Sequence, residues 1–250
     1  VKGEVNTLKS ANSKLHQEIT KDQDLLGQYK DLQKEFNLAG SGGFTIVPAR
    51  VIARGAADSF TQTITIDGGF RDGISNNMTV MNGDGIIGIT KAVNSTSSIV
   101  QLLSDPNFKM GVRIAGTGSA GVLLGEGDNL FTFQLLDPQG SLSKGQVLLS
   151  LGSDENRPFV AGLPVGYITN VNTTSKDITQ QATVRSYANL NSLDVVSVII
   201  KGANHDLRDS LVPPAPTQPN APATSTPSPS ETNTPNITSN PTSSSASGNN

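Results

Sequence analysis

Cysteine is absent from the 250 residues. Without thiols there is no disulfide framework, no thiolate metal site and no thiol nucleophile. Histidine is scarce: only His16 and His205 occur. A Ser-His-Asp triad between two β halves needs an imidazole held there, and no His lies from Phe44 to Ala203. Two His also cannot build a His-rich zinc site. An excess of basic charge is lacking too. The formal net charge is −3 and the pI about 5.4, which argues against a nucleic-acid platform. No stretch approaches the roughly 18 consecutive apolar residues of a membrane-spanning helix, and no signal peptide is visible.

What is present begins with a heptad pattern from Val1 to about Leu38. Its a positions are Val5, Asn12, Ile19, Leu26 and Gln33, and its d positions are Val1, Leu8, Leu15, Asp22, Tyr29 and Phe36. Apolar residues three and four apart make one narrow stripe along a helix. So thin a stripe on so long a helix suits another helix as its partner, most simply a second copy. Asn12 at an a position favours a parallel two-stranded register. Asp22 and Gln33 weaken the seam, and Leu25 and Leu32 at g positions widen it. The expected dimer interface is Val5, Leu8, Asn12, Leu15, Ile19, Leu26 and Tyr29. The alternative is a surface helix folded back on its own globular domain. Six Lys balance six Asp or Glu here, unlike a basic membrane-surface helix. The chain starts without Met inside this pattern, so the expectation is a fragment whose true N-terminus lies upstream, with a membrane anchor there as one option.

Ala39-Gly40-Ser41-Gly42-Gly43 reads as a helix stop and hinge over 39–43. From Phe44 to about Ile200 short apolar or alternating runs recur, such as Thr63-Ile64-Thr65-Ile66. Turn sequences separate them, including Asp67-Gly68-Gly69 and Asn82-Gly83-Asp84-Gly85. A dozen short strands predict a mainly β body of two small barrels, 44–115 and 116–203. The C-terminal strands have the option of returning to the first barrel. From 204 to 250 the chain is polar, then rich in Pro, Ser, Thr and Asn. Such a segment cannot offset its ordering entropy by burial and is expected to be disordered.

Motifs with chemistry are few. Gly116-Thr-Gly-Ser-Ala-Gly121 matches a dinucleotide pattern literally, yet Val122-Leu-Leu-Gly125 follows where a helix is required. It reads as a Gly-rich hairpin. Asp67, Asp72 and Asp84 sit among glycines but lack the spacing of a calcium loop, so turn roles are expected. Gly69, Gly73, Gly83 and Gly88 read as backbone geometry or close strand approach. The sequons at Asn77, Asn94, Asn172 and Asn236 carry little information. No catalytic, cofactor or metal residue is assigned.

Blocks in order carry a resemblance. They include Ala49-Arg50-Val51-Ile52-Ala53-Arg54, then Thr65-Ile66-Asp67-Gly68-Gly69-Phe70-Arg71-Asp72-Gly73-Ile74, then Gly85-Ile86-Ile87-Gly88-Ile89-Thr90. Ser98-Ile99-Val100-Gln101-Leu102-Leu103-Ser104-Asp105-Pro106 and Gly162-Leu163-Pro164-Val165-Gly166-Tyr167-Ile168 follow. From Val1 to Ile200 the chain resembles the MreC family of rod shape-determining proteins. It departs at Gly145-Gln146, where the family usually has Gly-Asp, and at Ser150-Leu151-Gly152. The Pro-rich tail suggests a Gram-positive, actinobacterial form.

The resemblance implies a single-pass cell-membrane protein whose transmembrane helix precedes this fragment. It implies a coiled-coil homodimer presenting two β-barrel domains on the extracytoplasmic side, without enzymatic activity and without cofactor. The implied partners are a class B penicillin-binding transpeptidase, MreD and the rod filament machinery; no nucleic acid is expected. The implied role is a scaffold that organises and activates peptidoglycan synthases. The β heads are expected to offer strand edges and grooves. The rival reading is a periplasmic adaptor of an efflux or secretion system, though adaptors usually carry a helical hairpin between β halves. A degenerate double-barrel hydrolase is disfavoured by the missing His.

Overall fold

The computed structural model describes residues 2–55, 61–127, 129–137, 140–172, 180–203 and 210–213, and on the N-terminal helix the side chains of Lys9 and from Asn12 onward. Helix α1 (Lys2–Gly42) comes first. Strands β1 (Thr45–Arg54), β2 (Thr63–Ile66), β3 (Thr79–Met81), β4 (Ile86–Val93) and β5 (Ser98–Leu102) follow. Then come β6 (Lys109–Ile114), β7 (Ala120–Gly125), β8 (Leu130–Leu135), β9 (Val147–Ser150), β10 (Pro164–Asn172), β11 (Gln181–Ser186) and β12 (Val195–Lys201).

The strands close into two six-stranded barrels. The first has the order β1-β12-β3-β4-β5-β2 and the second β10-β11-β8-β7-β6-β9. β12 pairs with β1 and β3, so the last strand completes the first barrel. The expected boundary at 115 is corrected: β6 pairs with β7 and β9 in the second barrel, and the crossover lies between Leu102 and Lys109. Strand length could not show this, because pairing across the chain decides barrel membership. Both barrels being closed also removes the strand edges expected on the heads.

The alternation expected of half-buried strands holds in β6, β7 and β8, where every second residue faces the interior. Phe131 and Phe133 are wholly buried there. The interiors are not separate. One hydrophobic cluster runs from Ile64 and Met81 to Phe131 and Ile168. At the junction Phe108 meets Phe159 edge-on, with centroids 5.7 Å apart. The Thr79 hydroxyl donates to the Pro158 carbonyl at 2.7 Å and accepts from the Val160 N–H at 3.0 Å. Buried Asp105 accepts from the Gln62 N–H at 2.8 Å and the Asn107 N–H at 2.7 Å. Gln62 in turn donates to the Gly127 carbonyl of the second barrel at 2.6 Å.

Thr79→Val keeps the shape but strands a buried N–H and a buried carbonyl. It is expected to cost about 2 kcal/mol. The urea midpoint of the purified protein measures this; an unchanged midpoint would show that the junction does not depend on this hydroxyl.

The hinge over 39–43 is also corrected. The helix continues to Gly42 and ends in a fixed cap. Gly43 takes φ +63, the Phe44 N–H bonds the Ala39 carbonyl at 2.9 Å, and the Gly43 N–H bonds the Gly40 carbonyl at 3.2 Å. This is a Schellman termination, with Ala39 and Phe44 both buried beside it,. Burial of Ala39 and Gly42 outweighs the weak helix propensity of the glycines,. At the other end, Leu211 packs into the core, so burial extends into the segment read as tail. The rest of that segment, 204–209 and 214–250, lies outside the described residues, as do His205 and Asn236.

Candidate interaction site

Two faces of α1 behave differently. Gln28, Leu32, Glu35 and Ala39 recur at helical spacing and turn towards the first barrel, with Glu35 and Ala39 fully buried. The heptad stripe lies roughly 130° around the helix from that face at 100° per residue. Asn12, Leu15, Ile19, Leu26 and Tyr29 stand exposed on the stripe. Leu15 is 57% and Tyr29 65% exposed. So the helix is neither wholly free nor wholly folded back: its last turns dock and its stripe stays open. The side chains of Val5 and Leu8 lie outside those described.

Between the stripe and the barrel runs an apolar groove of about 770 Å³. Leu25, Leu26, Tyr29 and Leu32 form its helical wall, and Pro48 and Arg50 of β1 part of the other. The g-position leucines thus line the approach to the barrel rather than simply widening the seam.

The docked face holds the group that the sequence reading missed. Glu35 is 0% exposed. The Ser197 hydroxyl of β12 donates to its Oε2, while Oε1 has no hydrogen-bond partner. Burial pushes the Glu35 carboxyl up to about 7; the Ser197 hydrogen bond opposes this and the charge of Asp31 adds to it. One signal was available in the sequence. Leu32, Glu35, Ala39 and Gly42 follow a 3-4-3 spacing that marks a second face with small residues. Gly83 shows why the docking is close. A Cβ there would stand 2.3 Å from the Lys34 Cβ, so the glycine serves a helix approach rather than the expected strand approach or left-handed turn. Beside it Lys34 reaches Asp84 at 3.8 Å. Gly88 does serve a strand approach, with the Gln101 carbonyl 2.0 Å from a Cβ placed there.

The Asp residues do not converge. Asp67 accepts from the Arg50 N–H of β1 at 2.6 Å, and Asp72 from the Gly69 N–H of its own turn at 2.9 Å. No group of three His, Asp or Glu able to hold a metal occurs among the described residues. Gly116 and Gly118 take φ +82 and +74 in the turn of the β6–β7 hairpin, where no helix end faces a phosphate. His16 is exposed on α1. No described helix is long and apolar enough to cross a membrane, which says nothing about β-barrel membrane proteins.

Comparisons with known proteins agree with this architecture. A cell shape-determining protein MreC of Bacillus subtilis is 30% identical over 191 residues, covering 71% of this chain and 64% of the relative. That of Listeria monocytogenes is 27% identical over 192 residues, covering 74% and 64%. The chain thus spans about 64% of the length of these relatives. The solved structure of Listeria MreC aligns with TM-score 0.57 at 26% identity, over 78% of this chain and 95% of that one. A Helicobacter pylori complex between penicillin-binding protein PBP2 and MreC contains a chain of the same fold, with TM-score 0.50 at 15% identity over 64% of this chain and 99% of that one. The family model for the barrel core of rod shape-determining protein MreC matches residues 51–200, from the middle of β1 to the end of β12. The chain therefore belongs to the MreC family of cell shape-determining proteins.

Proposed function

We propose that this chain is a non-enzymatic, membrane-anchored scaffold of the cell-wall elongation complex, which organises and activates peptidoglycan synthases. The family match across both barrels carries the reading. The H. pylori complex of penicillin-binding protein PBP2 with MreC supports a penicillin-binding protein as partner, and the family resemblance makes it a class B transpeptidase. MreD and other membrane proteins of the complex are further partners on the family resemblance.

The geometry suits a scaffold. The shared core and the Thr79 and Gln62 contacts join the two barrels into one head. Closed barrels offer no edge for strand addition, so a partner must be held by side chains on their outer faces. The exposed stripe on α1 supports parallel pairing of two chains through Asn12, Leu15, Ile19, Leu26 and Tyr29, with Val5 and Leu8 continuing the seam. A paired helix then presents two heads at a fixed spacing from the anchor.

Binding of the extracytoplasmic part of the host's class B transpeptidase to this chain tests the proposal. Wild-type protein is expected to bind with a dissociation constant tighter than about 50 μM. A Leu15→Asp/Leu26→Asp variant that still binds places the contact on the barrels; loss of binding makes the paired helix part of the site. No binding by the wild type would overturn the transpeptidase partnership and favour the adaptor reading.

A further inference from the structure

The joint between α1 and the first barrel contains a carboxyl group that the scaffold reading does not use. Glu35 is completely buried, yet only one of its oxygens is hydrogen-bonded. A buried carboxylate with an unmet oxygen is unfavourable, whereas the neutral acid needs far less solvation. A small cavity of about 140 Å³ lies against it.

The groups facing this cavity come from every element packed there. Asp31 and Lys34 lie on α1, Asp84 and Asn82 on the β3–β4 turn, and Asp194 and Asn189 on the segment leading into β12. Three further carboxyl groups therefore surround Glu35. The ammonium among these residues, Lys34, is directed to Asp84. Burial is the main effect that disfavours the Glu35 anion, and the charge of Asp31 adds a smaller one of the same sign,. The seat itself is short: beyond Glu35, the docked face is Gln28, Leu32, Leu38, Ala39, Gly42 and the Gly83 approach, and the other described side chains of α1 are exposed.

We propose that this joint is a proton-operated clamp: with Glu35 neutral the last turns of α1 stay seated on β12, and ionisation of Glu35 unseats them, freeing the direction of the helix relative to the barrels. The head would then be aimed rigidly in acid and loosely in alkali. The proposal rests on the joint alone and stands whether or not a transpeptidase is the partner.

The absence of cysteine makes the test direct. Gln17→Cys on α1 and Lys91→Cys on β4 place nitroxide labels at two exposed positions, Gln17 lying off the heptad seam. Labelled chain is diluted in excess unlabelled chain, so that distances within one chain are read by pulsed electron spin resonance. A narrow distance distribution is expected at pH 5 and a broad one at pH 8.5, with the change falling between pH 4.5 and about 7,. Glu35→Gln is expected to stay narrow at both. Ser197→Ala removes the hydrogen bond that favours the seated anion and is expected to enlarge the broad, unseated population at pH 8.5,. Wild-type distributions that match at the two pH values would overturn the proposal. So would equal broadening in Glu35→Gln, or a narrower distribution at pH 8.5 in Ser197→Ala. The wild-type comparison stands even where a variant folds poorly.

Discussion

If α1 pairs as proposed, Leu15→Asp combined with Leu26→Asp is expected to give a monomer whose β barrels remain folded. Both leucines are more than half exposed on α1 and sit on the stripe, away from the docked face. In a paired helix each would be buried against its counterpart, and two charges per chain would be forced into that seam. Four lost leucine contacts and four buried carboxylates per dimer are expected to weaken association at least about a thousandfold. The barrels have no stake in Leu15, and Leu26 only borders the groove. Sedimentation equilibrium reads the mass and circular dichroism the β content. A variant that remains dimeric would move the interface to the barrels. A variant with lost β content would show that α1 supports the head more than its docked turns indicate.

The second large effect concerns stability against pH. Unfolded, the Glu35 carboxyl titrates near its ordinary 4.5; in the folded chain burial raises it to about 7. Between these values the folded chain holds a proton that the unfolded chain releases. Stability is therefore expected to be greatest below about pH 4.5 with respect to this group, to fall as pH rises to 7, and to level off above. The gap between the two values corresponds to about 3 kcal/mol. Glu35→Gln removes the proton exchange and is expected to flatten this part of the profile. At pH 8.5 the variant should exceed wild type by up to about 3 kcal/mol, while at pH 5 the gap should shrink to about 1 kcal/mol. Urea unfolding at both pH values measures it. A variant less stable than wild type at pH 8.5 would mean that Glu35 stabilises the joint as an anion.

The division between sequence and tertiary structure follows from what kind of information each element carries. A heptad stripe and period-2 alternation are local: they depend only on which residues lie three, four or two apart. That is why α1 and the run Thr63–Ile66 that became β2 could be placed from residue order. The lack of His between Phe44 and Ala203 was equally local, and it bounded the chemistry without any coordinates. The order of the spaced blocks was sufficient to suggest the family.

What the sequence could not determine is pairing at long range. β12 closes the first barrel about 140 residues after β1, and nothing in Val195–Lys201 names β1 and β3 as its neighbours. The boundary shifted for the same reason, since Lys109–Ile114 alternates equally well in either barrel. The apparent hinge became a cap because Ala39, Gly42 and Phe44 gain burial only once the barrel is beside them. Glu35 reads in the sequence as one more solvated charge on a helix. Only the tertiary structure sets it against Ser197, 162 residues away, and so turns a surface carboxylate into a buried acid. Local periodicity determined the parts of this protein; contacts between distant segments decided how they close, where they join and which charge lies inside.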